Sequence, residues 1–329
     1  MKRALSSDDV PSPAREDAMA TDFSTLSVYS YRSAVATIFV SPDEAPSRAT
    51  ALLSRLFGPR EHGMFSATRS PAGTFLICDT TTTDGLMGAA VPTDEAWRVL
   101  YIHEGSEERQ GSEISGTLSA LCARLADASV AVLNVCTLAR NFMLVREAAC
   151  ERALATLRAT VEAGQAGGAR GGGVAAQPIA AAKIRLRRAR LAICSFKLES
   201  LPSLSHALLH FFFLEPAATF VHYFEMGGEI SIIFEQAMLD RLASSFPSSA
   251  EALRHAAAGS LKTDWRVMSV AVCDGYEGVG ILNRVCLPLS SLPLMNVSTL
   301  DETFLLFADQ HASRALKLLE PHFAVEVEE

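Results

Sequence analysis

Residues 265–307 read WRVMSVAVCDGYEGVGILNRVCLPLSSLPLMNVSTLDETFLLF. The first nine residues have the apolar, β-branched composition of a strand, and a glycine-bearing turn over 274–280 leads into an apolar helix over 281–287. Glycines between a strand and a helix let the backbone come close to a small ligand. The pattern then predicts two strands and a closing helix, at 295–300, 303–307 and 310–319.

The same pattern occurs earlier in the chain. Trp-Arg-Val stands at 97–99 and again at 265–267, an offset of 168 (265 − 97). Thr-Leu stands at 137–138 and at 299–300, an offset of 162 (299 − 137), so the earlier copy is six residues longer. We assign that difference to the first strand–helix loop, at 104–113 in the earlier copy.

A second pair of similar segments is interleaved with the first. Ala-Leu-Leu occurs at 51–53 and 207–209, an offset of 156 (207 − 51), and the apolar strand at 75–77 recurs at 231–233. Ordered matches at a near-constant offset in both pairs indicate four units in the order A-B-A-B. Each unit is about 60–75 residues long, which suits a small α+β module better than a solenoid repeat.

Composition argues against several classes of protein. The 329 residues are 49% hydrophobic, and the net charge of −8 argues against the clustered basic surface of a nucleic-acid-binding protein. The seven cysteines form no Cys-x-x-Cys pair and mostly lie in apolar runs, which indicates reduced, buried thiols and a cytoplasmic location. The polar start of the chain lacks the apolar core of a signal peptide, and no run reaches the roughly 18 apolar residues of a membrane span.

The predicted fold class is α+β, with four tandem ferredoxin-like βαββαβ units arranged as two paired halves. A Gly- and Ala-rich segment near the middle has the composition of a flexible linker and separates the halves. The predicted divisions are a disordered N-terminus at 1–25, unit 1 at 26–92, unit 2 at 93–162, the linker at 163–183, unit 3 at 184–255 and unit 4 at 256–325.

Residues with catalytic or metal-binding chemistry are sparse. His206 and His210 lie four apart on a predicted helix, as in some metal sites, but no third ligand stands at a telling distance. We interpret them as one helix face that carries two histidines, and we expect no metal. The sequence has no Ser/His/Asp set, no thiol–histidine motif and no paired carboxylates at a catalytic spacing, so we expect neither catalysis nor a cofactor.

A basic run follows the linker and consists of Lys183, Arg185, Arg187, Arg188 and Arg190. Such a run can bind an anion or nucleic acid. Because the chain as a whole is acidic, we prefer to interpret it as a solvated linker end that runs into an edge strand, where charges block pairing with other chains.

The loop over 275–280 admits two interpretations. As a tight turn it needs no ligand. As a loop between a strand end and a helix N-terminus, it presents free amides to a carboxylate, which an amino acid offers. Asp301 and Glu302, close to Thr299, can either meet an ammonium or guanidinium group or lie on the loop surface.

The predicted units resemble ACT domains, which are ferredoxin-like modules that bind amino acids between neighbouring copies. Over residues 30–325 the chain more closely resembles the cytosolic arginine sensor (CASTOR) family of the TOR pathway. The segments that carry the resemblance are VAVLNV at 130–135, FMLVRE at 142–147, GEISII at 228–233, WRV at 265–267, GYE at 275–277 and GIL at 280–282. The resemblance implies four tandem ACT domains, no catalysis, homodimerisation and binding to a regulatory complex upstream of TOR.

The resemblance also implies an amino-acid site between units 2 and 4. Four positions differ from the family: Ala131 replaces a serine, Gly278 a glutamate, Leu300 an aromatic residue and Thr303 an aspartate that contacts arginine. The family's partner-contact motif falls at 138–141, where the sequence is different. The implied ligand-binding residues are Ala131, Val132, Gly275, Gly280, Ile281, Leu282, Thr299, Leu300, Asp301, Glu302 and Thr303.

Our hypothesis is a cytosolic amino-acid sensor whose ligand, arginine or a related amino acid, shifts the population between two arrangements of the halves and so hides or exposes a partner surface. The alternative is a ligand-free ACT-domain scaffold for protein–protein interaction, which the changes at Ala131, Gly278 and Thr303 favour. A third interpretation is a separate regulatory chain that acts on an amino-acid biosynthetic kinase in trans.

Overall fold

The computed structural model describes residues 26–58, 63–80, 96–104, 115–138, 140–165, 183–215, 220–271, 279–299 and 302–328. The strands in these ranges are β1 Leu26–Val40, β2 Phe65–Ser70, β3 Gly73–Asp79, β4 Trp97–Glu104, β5 Leu133–Cys136, β6 Asn141–Arg146, β7 Lys183–Leu186, β8 Leu191–Lys197, β9 Val221–Met226, β10 Glu229–Glu235, β11 Lys262–Ala271, β12 Met295–Ser298, β13 Glu302–Ala308 and β14 Ala324–Val327. The α-helices are α1 Ala45–Phe57, α2 Ser115–Asp127, α3 Cys150–Gln165, α4 Leu201–Leu209, α5 Gln236–Ser245, α6 Pro247–Ala256, α7 Ile281–Cys286 and α8 Ala312–Leu319.

All fourteen of these strands belong to one sheet, and twelve of them close into a barrel. The order around the barrel is β13-β12-β5-β6-β4-β1-β3-β2-β9-β10-β8-β11, and β11 pairs with β13 to complete it. β7 pairs with β11 outside this ring, and β14 pairs with β7. The pairings are antiparallel except for β14 with β7, which is parallel. The mixed α and β content was predicted, but the described strands form one closed barrel instead of clearly separate tandem units in two paired halves.

The barrel closes because strands are shared between segments that the sequence analysis had separated. The first part of β1 pairs with β4, from Leu26 opposite Glu104 to Ser30 opposite Leu100. After a register shift between Ser30 and Ala34, β1 still pairs with β4 at Ala34 and Val35, and from Val35 to Val40 its other edge pairs with β3. One long strand therefore joins two sheets that would otherwise be independent.

Overlapping groups of four strands repeat one order within the sheet. The groups are β4-β1-β3-β2, β1-β4-β6-β5, β11-β8-β10-β9 and β7-β11-β13-β12. In the first group, β1 is followed along the chain by α1, then by β2 and then by β3. The other three groups follow the same order, starting from β4, β8 and β11. The four helices at that point of the chain are α1, α2, α4 and α7.

The strand registers repeat at the offsets found in the sequence. Thr37 is opposite Ile77 and Ile193 is opposite Ile233, both displaced by 156. Val99 is opposite Leu144 and Val267 is opposite Leu306, displaced by 168 and 162. At the two junctions between the halves, equivalent residues pair with each other: Ala67 with Tyr223, and Val135 with Val297. Equivalent residues that face each other across both junctions indicate an approximate two-fold axis through the barrel.

Both faces of the sheet are buried. Along β6, Phe142 and Leu144 belong to a core inside the barrel, whereas Met143 and Val145 pack under the helices, and all four are at most 1% exposed. Strands covered on both faces are continuously apolar instead of alternating. Each fully buried apolar side chain of this size stabilises the fold by about 1.5–3 kcal/mol.

Several predicted elements have different bounds in the structure. β1 begins at Leu26, the first residue of predicted unit 1, α3 ends at Gln165 inside the predicted linker, and the predicted helix with His206 and His210 is α4 followed by a π-helical turn, His210–Leu214. α5, α6 and β14 were not predicted. Residues 1–25 and 166–182, which hold the predicted disordered terminus and most of the linker, lie outside the described residues, and the unit boundaries remain predictions. None of the described helices combines the length and the hydropathy that a membrane crossing requires.

Candidate functional site

The predicted ligand residues lie around the junction of β5 with β12. Val135 is opposite Val297, and the backbone N–H of Asn134 donates to Ser298 Oγ at 3.2 Å. Ala131 and Val132 come directly before β5 and are half-buried. Because the strands are antiparallel, the residues that precede β5 run beside those that follow β12.

The start of α7 packs against the last turn of α2 at this junction. Gly280 precedes α7 with a φ of +80°, and a Cβ at this position would lie 3.3 Å from the Cβ of Ala126. Glycine is therefore favoured by its backbone conformation as well as by this close approach. Ser119 Oγ donates to Asn283 Oδ1 at 3.4 Å, which joins a residue about two turns before Ala126 in α2 to one a turn after Gly280 in α7. Ile281 is half-buried and Leu282 is buried.

The turn between β12 and β13 is held by one threonine. Thr299 donates its amide and its Oγ1 to the carbonyl of Glu302 at 2.8 and 3.0 Å, and the Glu302 amide donates back to Oγ1 at 3.1 Å. Thr137 makes the same three contacts with Arg140 in the equivalent turn, at 2.8, 3.3 and 3.0 Å. Thr303 is buried, with its Oγ1 3.4 Å from Ser298 Oγ.

The structure places Gly280, Ile281 and Leu282 beside the end of α2, Ala131 and Val132 directly before β5, and Thr299 directly after β12. Thr303 lies next to them through Ser298. Gly275, Leu300 and Asp301 lie outside the described residues, as does Gly278, the position of the family's glutamate.

Two asparagines that the sequence analysis missed lie in the centre of the junction. Asn134 and Asn296 are equivalent at the offset of 162, are at most 1% exposed, and form a hydrogen bond between their side-chain amides. Asn134 Nδ2 also donates to Cys136 Sγ at 3.0 Å. Asn134 Oδ1 and Asn296 Nδ2 have no hydrogen-bond partner among the described residues. A buried polar atom left in this state costs about 1–3 kcal/mol.

A sequence signal for this pair was available. Asn-Val stands at 134–135 and at 296–297, in the middle of two otherwise apolar strands. A polar residue repeated at the same register of two buried strands is a candidate for a contact across a two-fold axis.

The thiols at this junction are buried and protonated. Burial raises the pKa of Cys122 and of Cys136 to about 12, and it also raises the pKa of Cys286 well above its usual value. The six cysteines in the described ranges are all free and buried, as the sequence predicted, and Cys273 lies outside those ranges. Thiols that stay protonated at neutral pH are poor nucleophiles and poor metal ligands.

The basic run lines a cleft of about 740 Å³ and begins on a strand that is not an edge strand, although Lys183, Arg185, Arg188 and Arg190 are exposed as expected. β7 lies between β11 and β14, because the C-terminal strand β14 covers its open edge. Arg187 is 6% exposed, lies over the ring of Phe304 at 5.4 Å, and has its Nη2 3.6 Å from Glu302 Oε2. Glu302, a predicted ligand residue, therefore already faces a guanidinium group of the chain itself.

Other carboxylates balance the rest of this run. Arg190 lies 2.7 Å from Asp264 and 3.2 Å from Asp309, and Arg185 lies 3.5 Å from Glu326. The run is therefore largely neutralised within the fold, which argues against an open anion-binding or nucleic-acid-binding surface.

The two helical histidines have separate partners. His206 Nδ1 lies 3.0 Å from Ser249 Oγ, and His210 Nδ1 lies 3.3 Å from Glu215 Oε1. Both rings pack edge-on against Phe246. Within the ranges that the structure describes, no group of three or more potential ligands is placed to hold a metal ion.

Comparison with known proteins gave weak structural similarity only. No family model and no curated protein matches the chain. An aspartate kinase from Synechocystis superposes with a TM-score of 0.33 at 11% identity over 92% of this chain, which spans 56% of the kinase. An aspartate kinase from Clostridium acetobutylicum gives 0.31 at 14% identity, over 41% of this chain and 33% of the kinase. A Vibrio cholerae protein described as a possible transport protein gives 0.30 at 13% identity, over 42% of this chain and 92% of its own. At these TM-scores the similarity assigns neither a family nor an activity.

Proposed function

We propose that this chain is a non-catalytic regulator that binds an amino acid between its second and fourth units, each unit being an ACT-type βαββαβ module. The observation that carries the proposal is the β5–β12 junction. There the start of α7, the residues before β5 and the turn after β12 converge from distant parts of the sequence. The strand order repeated four times around the barrel supports the division into units.

The mechanism is a shift between two arrangements of the halves. The halves meet here through β5 with β12 and through α2 with α7, so a ligand held at this junction contacts both. A ligand shifts such an equilibrium only by its difference in affinity for the two arrangements. Its binding would thereby change a surface that a partner recognises.

The ligand's side chain is constrained by Glu302. A guanidinium or ammonium group that pairs with this carboxylate must displace or share the contact with Arg187, which lies 3.6 Å away. The side chain of arginine therefore competes with Arg187 for Glu302, whereas an uncharged side chain does not. The arginine of the CASTOR family is one candidate ligand, and uncharged amino acids are the others.

Homodimerisation and a partner complex upstream of TOR are further expectations from the family resemblance. The segment that matches the family's partner contact holds Leu138 and Asn141, which are both buried, beside the exposed Arg140. A partner that binds here would meet a positive charge. Light scattering on the purified chain measures the oligomeric state, and affinity purification with R140E as the comparison tests the partner surface.

A thermal-shift series with the standard amino acids tests the binding proposal, followed by calorimetry on each hit. Ligand that binds only the folded state raises the melting temperature by mass action. In Ala131→Phe a ring fills the space before β5, so this variant should lose the shift. Ala155→Phe, which adds the same ring at an exposed position of α3, should keep it. A shift that A131F retains in full would place the ligand elsewhere.

A ligand-free scaffold is the second candidate function. The observation that favours it is the close packing of the junction, where Asn134, Asn296, Leu282 and Thr303 are all buried. For this function no amino acid should raise the melting temperature, while a purified partner should still bind.

A further inference from the structure

A cavity of about 450 Å³ lies at the other junction of the barrel, where β2 pairs with β9. It opens between α1, the turn that joins β2 to β3, and the π-helical turn after α4. Its volume lies in the range of roughly 300–1,000 Å³ that is typical of small-molecule sites. Most of its lining is apolar, including Val40, Ala49, Leu52, Leu76, Phe212 and Phe213.

The charged groups that line this cavity are both cations. They are the guanidinium groups of Arg48 and Arg69, and no acidic side chain is among the described lining residues. The Arg48 side chain is half-buried and forms no hydrogen bond or salt bridge with the described residues, and its charge attracts the exposed carboxylate of Glu44 one turn before it. Two cations beside an apolar wall, without a carboxylate in the lining, provide a site for an anion with an apolar body.

Arg69 is held in a fixed position by the helix that it faces. Its Nη1 donates to the carbonyl of Phe212 at 2.8 Å, and its Nη2 donates to the carbonyl of Glu215 at 3.0 Å. Burial lowers the pKa of Arg69, because removing a cation from water costs free energy. An anion bound beside it would offset part of that cost.

The walls of the cavity are set by backbone geometry. Gly73 has a φ of +147°, and a Cβ there would lie 2.6 Å from the carbonyl oxygen of Val40 and 2.7 Å from the ring of Phe39. The β2–β3 turn can therefore pack directly on the end of β1. On the opposite side the π-helical turn, an arrangement often found at functional sites, carries Phe212 and Phe213. A cavity with fixed walls binds its ligand without first ordering a loop.

The cavity is built from the same kinds of segment as the predicted amino-acid site. At each junction one unit contributes the start of its first helix together with a hairpin turn. The unit that faces it contributes the end of its own first helix or the residues that follow this helix. At the β5–β12 junction these segments come from unit 4 and unit 2. At this junction they come from α1 and the β2–β3 turn, facing the end of α4.

We propose that this cavity is a second binding site, for a small carboxylic acid that has an apolar side chain and no ammonium group. The carboxylate pairs with Arg48, and the side chain lies against Leu52 and Phe212. An ammonium group is disfavoured because the described lining residues offer it no carboxylate. The site is independent of the amino-acid site proposed above, since it lies at the opposite junction and uses none of the same residues.

Calorimetry on the full chain tests this site with three compounds of the same branched skeleton. The probe is 4-methyl-2-oxopentanoate, and the comparisons are L-leucine, which adds an ammonium group, and 4-methylpentanamide, which lacks the charge. The oxo acid should bind at this cavity at least about tenfold more tightly than either comparison. The amide lacks the carboxylate that pairs with Arg48, and the ammonium group of leucine is repelled by the two arginines.

Two variants with matched controls locate the binding. Arg48→Met should weaken oxo-acid binding at least about tenfold, and Ala49→Phe should abolish it by filling the cavity. Arg158→Met removes an exposed arginine from α3, and Thr50→Phe adds a ring at the exposed neighbouring position of α1, so both should bind as the wild type does.

Three results would overturn the proposal. The first is no binding of the oxo acid at millimolar concentration. The second is oxo-acid binding that A49F retains. The third is leucine binding that equals that of the oxo acid and is lost in A49F. Leucine binding that A49F keeps but A131F loses belongs to the β5–β12 junction, so a failure of one site is distinguishable from a failure of the other.

Discussion

His222 lies at the β2–β9 junction with no exposed surface, and its Nδ1 is 2.9 Å from Thr68 Oγ1. Burial lowers the pKa of its imidazole to about 3. In the unfolded chain the same group titrates near its ordinary pKa of about 6.5. Above that pH both states are neutral. Below it the unfolded state binds a proton that the folded state does not bind until about pH 3.

This difference predicts acid sensitivity from one residue. As the pH falls from about 6.5 towards 3, His222 lowers the free energy of unfolding by about 1.4 kcal/mol per pH unit. In urea titrations, the wild type should therefore lose about 2 kcal/mol more between pH 7 and pH 5 than His222→Gln does. His255→Gln, which removes an exposed histidine, should retain the wild-type pH dependence. Equal pH dependence in H222Q and the wild type would contradict this assignment.

The equivalent asparagines at the β5–β12 junction predict a non-additive pair of substitutions. Asn296→Ala leaves the amide of Asn134 buried without its partner, and the converse holds for Asn134→Ala. Each single variant should be destabilised by about 1–3 kcal/mol, whereas the double variant should lose less than the sum of the two. A double-mutant cycle from urea denaturation measures the difference. Strict additivity would mean that the two amides do not interact.

At the scale of elements, the π-helical turn is tied to β2 by Arg69. The three carbonyl oxygens that it reaches, those of Phe211, Phe212 and Glu215, lie at the end of the turn, where the helix leaves carbonyl groups unsatisfied. Arg69→Met should therefore lower the free energy of unfolding by about 1.5–3 kcal/mol. Urea denaturation beside Arg158→Met, which removes an exposed arginine, checks this. An R69M variant as stable as R158M would show that the contact is not stabilising.

Hairpin turns can be recognised in a sequence because they require particular residues. Gly227 and Gly228 join β9 to β10 with φ of +62° and +82°, which strongly favour glycine over residues with a side chain. A two-residue turn between Ser70 and Gly73 likewise joins β2 to β3. Such signals are local, so one sequence is enough to find them.

Elements whose stability depends on distant partners were not predicted. β14 is a short strand that forms against β7, 141 residues earlier in the chain (324 − 183 = 141). The π-helical turn depends on Arg69, and the polar first part of β1 is a strand because β4 lies beside it. Neither composition nor periodicity of the segment itself carries this information.

At the scale of the whole molecule, the offsets of 156 and 162 predicted which strands are equivalent, and the registers repeat at those offsets. Closure into one barrel could not be predicted, because the repeat does not specify which strand edges meet. The position of the candidate site at the β5–β12 junction came from the family resemblance. Its two asparagines were missed because each reads as an isolated polar residue until the strands are paired.

The two equivalent turns at Thr137 and Thr299 allow the most direct test of the proposed amino-acid site. Thr137→Val and Thr299→Val remove the same hydroxyl from the same hydrogen-bonded turn, but only Thr299 belongs to the site. The measurement is a calorimetric titration of both variants with the amino acid that stabilises the wild type most. If the amino acid binds at the β5–β12 junction, we expect binding at least about tenfold weaker in T299V and unchanged binding in T137V. Equal affinities in the two variants would contradict it.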